Sequence, residues 1–158
     1  MAIDRPQHAL QGLDMNRDTR LSGVLHVMLH LSQVSMPLTS DALAKTMGTN
    51  AAVFRRTMAG LREAGYVRSD KGHGGGWTLA RSLESISLLD VYVALGRPSL
   101  FAIGNRNSDP ECKVERAVNI ALGEAMAAAE ALFIERFGEV TLDKLLAQQS
   151  STPAVHRH

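Results

Sequence analysis

The sequence predicts a mainly α-helical fold: a winged helix-turn-helix domain followed by a long C-terminal dimerisation helix. Three observations lead there. Two short helices meet at Gly48 with almost no linker. A glycine-rich run, Asp70-Lys71-Gly72-His73-Gly74-Gly75-Gly76, sits between two strand-like segments. A run of about 27 residues beyond Pro110 carries two adjacent apolar stripes at helical spacing.

The first helix is expected over 17–33, where Leu21, Val24, Leu25, Met28, Leu29 and Leu31 fall on one face, with Pro37 beyond its end. A second spans about 40–48. Thr39 or Ser40 is its N-cap, Asp41 meets the positive end of its dipole, and Gly48 stops it. A third spans about 51–64, capped by Thr49 or Asn50, with Val53 or Phe54, Met58 and Leu61 inward and Arg55, Arg56 and Arg62 off the stripe. A helical hairpin could end there. Tyr66–Ser69 and Trp77–Ala80 instead read as a β-hairpin with a wide basic tip, and that element makes the unit a winged helix. The glycines lack the spacing of a phosphate-binding loop, and a strand rather than a helix follows them.

Ser87 and Asp90 form a capping box for a short helix ending at Gly96. A linker loop follows over 97–109. Asp109 as N-cap, Pro110 at the first helical position and Glu111 in the first turn open the long helix, expected to run to Phe137 and stop at Gly138. Val114, Val118, Ala121, Ala125, Ala128 and Leu132 make one stripe; Leu122, Met126, Ala129 and Phe133 make the other. A small domain covers one stripe, so the second implies another copy of the chain, with Val114, Val118, Ala121, Leu122, Ala125, Ala128 and Leu132 at the seam. Thr141 caps a last short helix. The domain reading is therefore an extension over 1–14, a DNA-binding domain over 15–96, a linker over 97–109, dimer and C-terminal helices over 110–149, and a polar tail over 150–158.

Composition narrows the function. Residues 15–81 hold nine Lys/Arg against four acids, whereas residues 82–158 hold seven against ten. The N-terminal half can face a polyanion while the other half avoids it. The formal net charge of only +1 excludes a globally basic coat, and 4% aromatic content excludes a broad stacking platform for single strands. The single cysteine excludes an intramolecular disulfide and any site needing several thiolates from one chain. It fits a reducing, cytoplasmic compartment. No stretch of about 18 residues is both apolar and uncharged, so no membrane contact is expected. His26 and His30 share a helix face at zinc-binding spacing, but no H-E-x-x-H motif is present, and they are read as partly buried structural histidines. No nucleophile–base or carboxylate pair suggests an enzyme, and neither a metal nor another cofactor is expected.

The stretch NAAVFRRTMAGLREAGYVRSDKGHGGGWTLAR, the following ISLLDV and the closing Thr141-Leu142-Asp143-Lys144-Leu145 resemble the Rrf-two family of winged helix-turn-helix transcription regulators, the IscR/NsrR/CymR-like proteins. The resemblance runs from about residue 16 to 148. It implies a dimeric regulator, a repressor, bound to a palindromic double-stranded operator. Thr49, Asn50, Ala52, Val53, Arg55 and Arg56 would meet the duplex from the recognition helix, and Lys71, Gly72 and His73 from the wing. Two departures matter. The family's wing arginine is Lys71 here, which keeps the charge and loses the planar fork. The cluster-binding members carry three cysteines before the dimer helix, and this chain has Cys112 alone, as in a single-cysteine branch. At a helix start Cys112 is either a redox-responsive thiol or a small apolar packing residue. A cluster- or metal-dependent sensor using Cys112 with non-cysteine ligands such as Asp109, Glu111 or Glu115, and a winged helix that binds proteins, are the competing functions.

Overall fold

The computed structural model describes residues 17–151, so the expected extension over 1–14 lies outside the described residues. Six helices and one hairpin follow in order: α1 (Arg20–Ser32), α2 (Ser40–Thr46), α3 (Ala51–Glu63), β1 (Val67–Asp70), β2 (Gly76–Leu79), α4 (Leu88–Ala94), α5 (Lys113–Glu139) and α6 (Leu142–Ser151). A 3₁₀ turn at Leu83–Ser85, which the sequence did not announce, joins the hairpin to α4.

The caps settle the open choices. Thr39 Oγ1 accepts the amide of Ala42 at 3.2 Å, and Asn50 Oδ1 accepts that of Val53 at 3.0 Å. Each satisfies a donor the first helical turn leaves unpaired. Phe54 rather than Val53 belongs to the inward stripe of α3, with Met58 and Leu61. The capping box at α4 is present in both halves: Ser87 Oγ accepts the Asp90 amide, and Asp90 Oδ2 accepts that of Ser87.

The core lies where α1, α3 and α4 meet, around Val24, Val27, Met28, Phe54, Met58 and Val91, and is closed by Ile86 and Leu142. Gly60 makes it tight. A Cβ there would lie 2.0 Å from the Ala94 carbonyl oxygen, so α3 crosses α4 in backbone contact. Strands β1 and β2 pair antiparallel with Val67 opposite Leu79 and Ser69 opposite Trp77. On its other edge β2 binds Leu38: the Trp77 amide donates to the Leu38 carbonyl at 2.8 Å, and the Leu38 amide donates back at 3.2 Å. Trp77 is buried, stands edge-on to Phe54 with centroids 5.5 Å apart, and donates its Nε1–H to Ser40 Oγ at 2.9 Å. One side chain thus fastens the wing to both α2 and α3.

Four expectations need correction. The long helix is capped at Cys112, not Asp109, so Pro110 and Glu111 precede it. The Asp109 amide is taken by Asn107 Oδ1 at 3.1 Å, a local turn that competes with helix initiation. At the other end α5 passes through Gly138 to Glu139. It stops because Val140 turns extended and its carbonyl accepts the Leu88 amide at 2.9 Å, clamping the helix end to α4. The polar tail begins later than expected, since α6 continues to Ser151, with Ser150 and Ser151 hydroxyls donating to the carbonyls of Leu146 and Ala147. Residues 152–158 of that tail lie outside the described residues. The histidine reading also changes, because His26 and His30 are both exposed.

Helix α5 has only one stripe partly covered, and Leu122 and Ala129 of that stripe remain exposed. Met126, Phe133 and Phe137 are half-buried, and Phe133 stands 5.6 Å from Tyr92 of α4. Val114, Val118 and Leu132 are 72%, 50% and 55% exposed, and Ala121, Ala125 and Ala128 are exposed beside them. By length and composition α5 could cross a membrane, with a mean hydropathy of 1.5 over its best window. Glu124 and Glu130 stand among those apolar residues and are costly in lipid.

Candidate nucleic-acid interface

Helix α3 turns its apolar stripe to the core, and the helical period puts Ala52, Arg55 and Arg56 on the opposite, exposed face. Asn50 is exposed at its N-terminus, where free amides and the dipole favour an anion; Thr49 and Val53 are half-buried. The wing tip lies across a groove of about 450 Å³ whose walls include Thr39, Ser40 and Asp41 of the α2 start, Arg55 and Arg62 of α3, and Ser69 through Gly72 of the wing. Lys71, Gly72 and His73 are all exposed. Gly72 and Gly74 adopt φ of +94° and +77°, which side chains rarely tolerate, and this lets the tip turn within a few residues.

The groove has both Arg55 and Lys71 in its walls, and leaves Arg56 and His73 outside them. It adds Arg62, whose Nη1 donates to Ser69 Oγ at 3.3 Å while its guanidinium lies 6.0 Å from the Trp77 ring centroid. Asp41 and Asp70 also line it and oppose a polyanion. Sequence reasoning recognised Arg62 as off the stripe but had no way to place it beside a strand formed seven residues later.

Cys112 occupies a second place. It is exposed, at the mouth of a cavity of about 460 Å³ between the 97–109 segment and the first turns of α5, which Arg106, Val114, Val118 and Leu122 also line. No amide reaches its Sγ in hydrogen-bond geometry. The N–H groups of Glu115 and Val114 nevertheless lie near enough to favour the thiolate, so its pKa falls below that of an ordinary thiol. Arg116 donates to the Glu111 carbonyl at 3.1 Å, and Glu115 pairs with Arg106 at 3.4 Å. Of these neighbouring charges, Arg106 and Glu115 engage each other, while Arg116 is turned to a main-chain carbonyl.

A three-helix core, a recognition-type helix and a basic wing define a winged-helix transcription regulator. Residues 17–148 match the Rrf2 family, described as iron-dependent transcriptional regulators, and the chain belongs to that family. The chain is 31% identical over 114 residues to YwnA of Bacillus subtilis, described as an HTH-type transcriptional regulator; the match covers 72% of this chain and 84% of YwnA. Among solved structures, a transcriptional regulator from Lactobacillus plantarum superposes with a TM-score of 0.70 at 20% identity, covering 84% of this chain and 90% of that one. The oxidised form of CymR from Staphylococcus aureus superposes at 0.60 with 21% identity, covering 83% and 95%. Both likenesses concern the fold.

The family's description implies iron, and the donors of this chain do not fit it. Cys112 is the sole cysteine of the sequence, and among the described residues no three His, Cys, Asp or Glu side chains gather where an ion could be held. Asp109, Glu111 and Glu115 thus form no such group with Cys112.

Proposed function

We propose that the protein is a homodimeric repressor that binds a roughly palindromic operator in cytoplasmic DNA and is tuned by the thiol state of Cys112. The observation that carries the reading is the convergence of Arg55, Arg62 and Lys71 on one groove between α3 and the wing. Arg55 and Arg56 would contact the major groove or its phosphates, with Asn50 and Thr49 at the helix start, and Lys71 and His73 would contact the minor groove or its backbone. Ala52 and Val53 would contribute apolar contact to bases, and Gly72 the close approach of the wing.

The dimer reading is supported by the open face of α5. Its exposed alanines permit close helix approach, and its apolar residues need cover that the described residues do not supply. Glu124 and Glu130 favour a protein partner over lipid. Two-fold symmetry then sets half-site centres about one helical turn apart. Occupying such a promoter site blocks transcription without recruiting another protein.

The test is fluorescence anisotropy on operator fragments selected from genomic DNA, across a salt series. Arg55→Ala, Arg56→Ala and Lys71→Ala should each weaken binding, and each lost phosphate contact should lower the salt slope by about one. Unchanged affinity in the Arg55/Arg56 double variant would mean that α3 is not the reading helix. Failure to select any DNA would favour a protein-binding winged helix instead. Binding lost on oxidation in the parent but retained in Cys112→Ser would support the switch; equal responses would leave Cys112 a passive residue.

A further inference from the structure

Two imidazoles on α1 take no part in the core or the groove. His26 and His30 are one turn apart and exposed, and their Nε2 atoms approach to 3.0 Å, with ring centroids 4.7 Å apart and planes inclined at 42°. Both nitrogens are therefore brought to the same spot on the surface. A metal–imidazole bond is about 2.0–2.1 Å long. Two such bonds at a right angle hold their nitrogens about 2.9 Å apart, whereas a tetrahedral angle holds them about 3.3 Å apart. The 3.0 Å spacing is set by the hydrogen bond between the rings and lies within a few tenths of an ångström of either arrangement, so one ion can bridge both nitrogens after a small side-chain adjustment. For nitrogen donors the general affinity order places Cu(II) above both Ni(II) and Zn(II).

We propose that His26 and His30 form a two-nitrogen site for a divalent transition-metal ion, with Cu(II) preferred over Zn(II). Ser22 and Gln33 continue the same exposed line of the helix and add no carboxylate, so water completes the coordination. In the ion-free pair one ring donates its Nε2–H to the other. On binding, that proton moves to Nδ1 of the same ring, leaving two Nε2 lone pairs for the ion and releasing no net proton from neutral imidazoles. The two bonds together bridge one turn of α1, whose other face carries Val24, Val27, Met28 and Leu31 of the core. Ion binding to the folded state therefore stabilises the whole domain.

The experiment titrates the full-length protein with aqueous Cu(II), and separately Zn(II), in a non-coordinating buffer. The unmutated protein is compared with His26→Gln/His30→Gln and with His156→Gln/His158→Gln, which controls for the histidines near the C-terminus. The proposal expects one Cu(II) equivalent present in the parent and the tail variant and absent from the α1 variant. It also expects two coordinated nitrogens in the electron paramagnetic resonance spectrum of the parent's site, a raised melting temperature, and Zn(II) binding at least tenfold weaker. Retention of every equivalent by the α1 variant would overturn the site. A parent spectrum with no nitrogen pair would do so independently of any variant, and Zn(II) binding as tightly as Cu(II) would overturn the preference for Cu(II).

Discussion

Gly60 and Gly123 both lie inside helices, and the same substitution should act on them in opposite directions. Alanine in a helix interior is favoured over glycine by about 1 kcal/mol, because glycine has more backbone freedom to lose. At Gly123 the new methyl group meets nothing within 4 Å, so Gly123→Ala should keep that gain and raise the melting temperature by about 2–4 °C. At Gly60 the methyl would sit 2.0 Å from the Ala94 carbonyl oxygen, and that neighbour is backbone with no rotamer to change. Helices α3 and α4 must then separate by more than about 1 Å to restore ordinary contact. Overpacking costs about 1–3 kcal/mol. With the upper end set against the propensity gain, Gly60→Ala loses about 2 kcal/mol, or about 4–8 °C. Urea unfolding and calorimetry of the two variants beside the parent would measure both signs. A Gly60→Ala protein as stable as the parent would refute the close crossing of α3 and α4.

Three further outcomes are expected. Ala125→Glu or Ala128→Glu places a charge in the proposed seam, where an unpaired charge costs several kcal/mol, so sedimentation at micromolar concentration should show monomers; a monomeric parent would remove the basis of the prediction. Ser87→Ala removes the acceptor for the Asp90 amide and should cost about 1 kcal/mol by chemical denaturation, with no effect indicating that the box adds nothing to α4. The rate of Cys112 alkylation should rise with pH through a midpoint below that of a free thiol, because the amides of Glu115 and Val114 favour the thiolate; a midpoint at or above the free value would show that those amides do not act on the sulfur.

The elements that the sequence disclosed are those with local causes. Asn50, Thr39 and the Ser87–Asp90 pair each act within a single turn, and the structure places their caps as the sequence indicates. The start of α5 was misread because Asp109-Pro110-Glu111 is a strong local signal, overridden by the turn that Asn107 makes with the Asp109 amide. The end of α6 falls two residues beyond the helix the sequence predicts, because Ser150 and Ser151 donate their hydroxyls to carbonyls one turn back. The histidine pair lay on the helix face that the core does not reach, and spacing alone does not distinguish the flank of a stripe from its centre. The groove was half legible. Arg55 and Lys71 could be named from their elements, but Arg62, Asp41 and Asp70 join them only after Trp77 has bridged 37 positions of sequence to Ser40.

The pairing of β2 with Leu38 sets a fixed gauge. Because Trp77 commits both its main-chain groups to Leu38 at the entry to α2 and its indole N–H to Ser40, the wing cannot swing away from the helices without breaking those bonds. The separation between Arg55 and Lys71 is thus decided when the chain folds, not when a partner arrives. A surface that meets both must already have the matching width or bear the cost of bending to it. The protein loses little freedom of its own on contact, and selectivity by stiffness of the partner becomes available even where no base is touched.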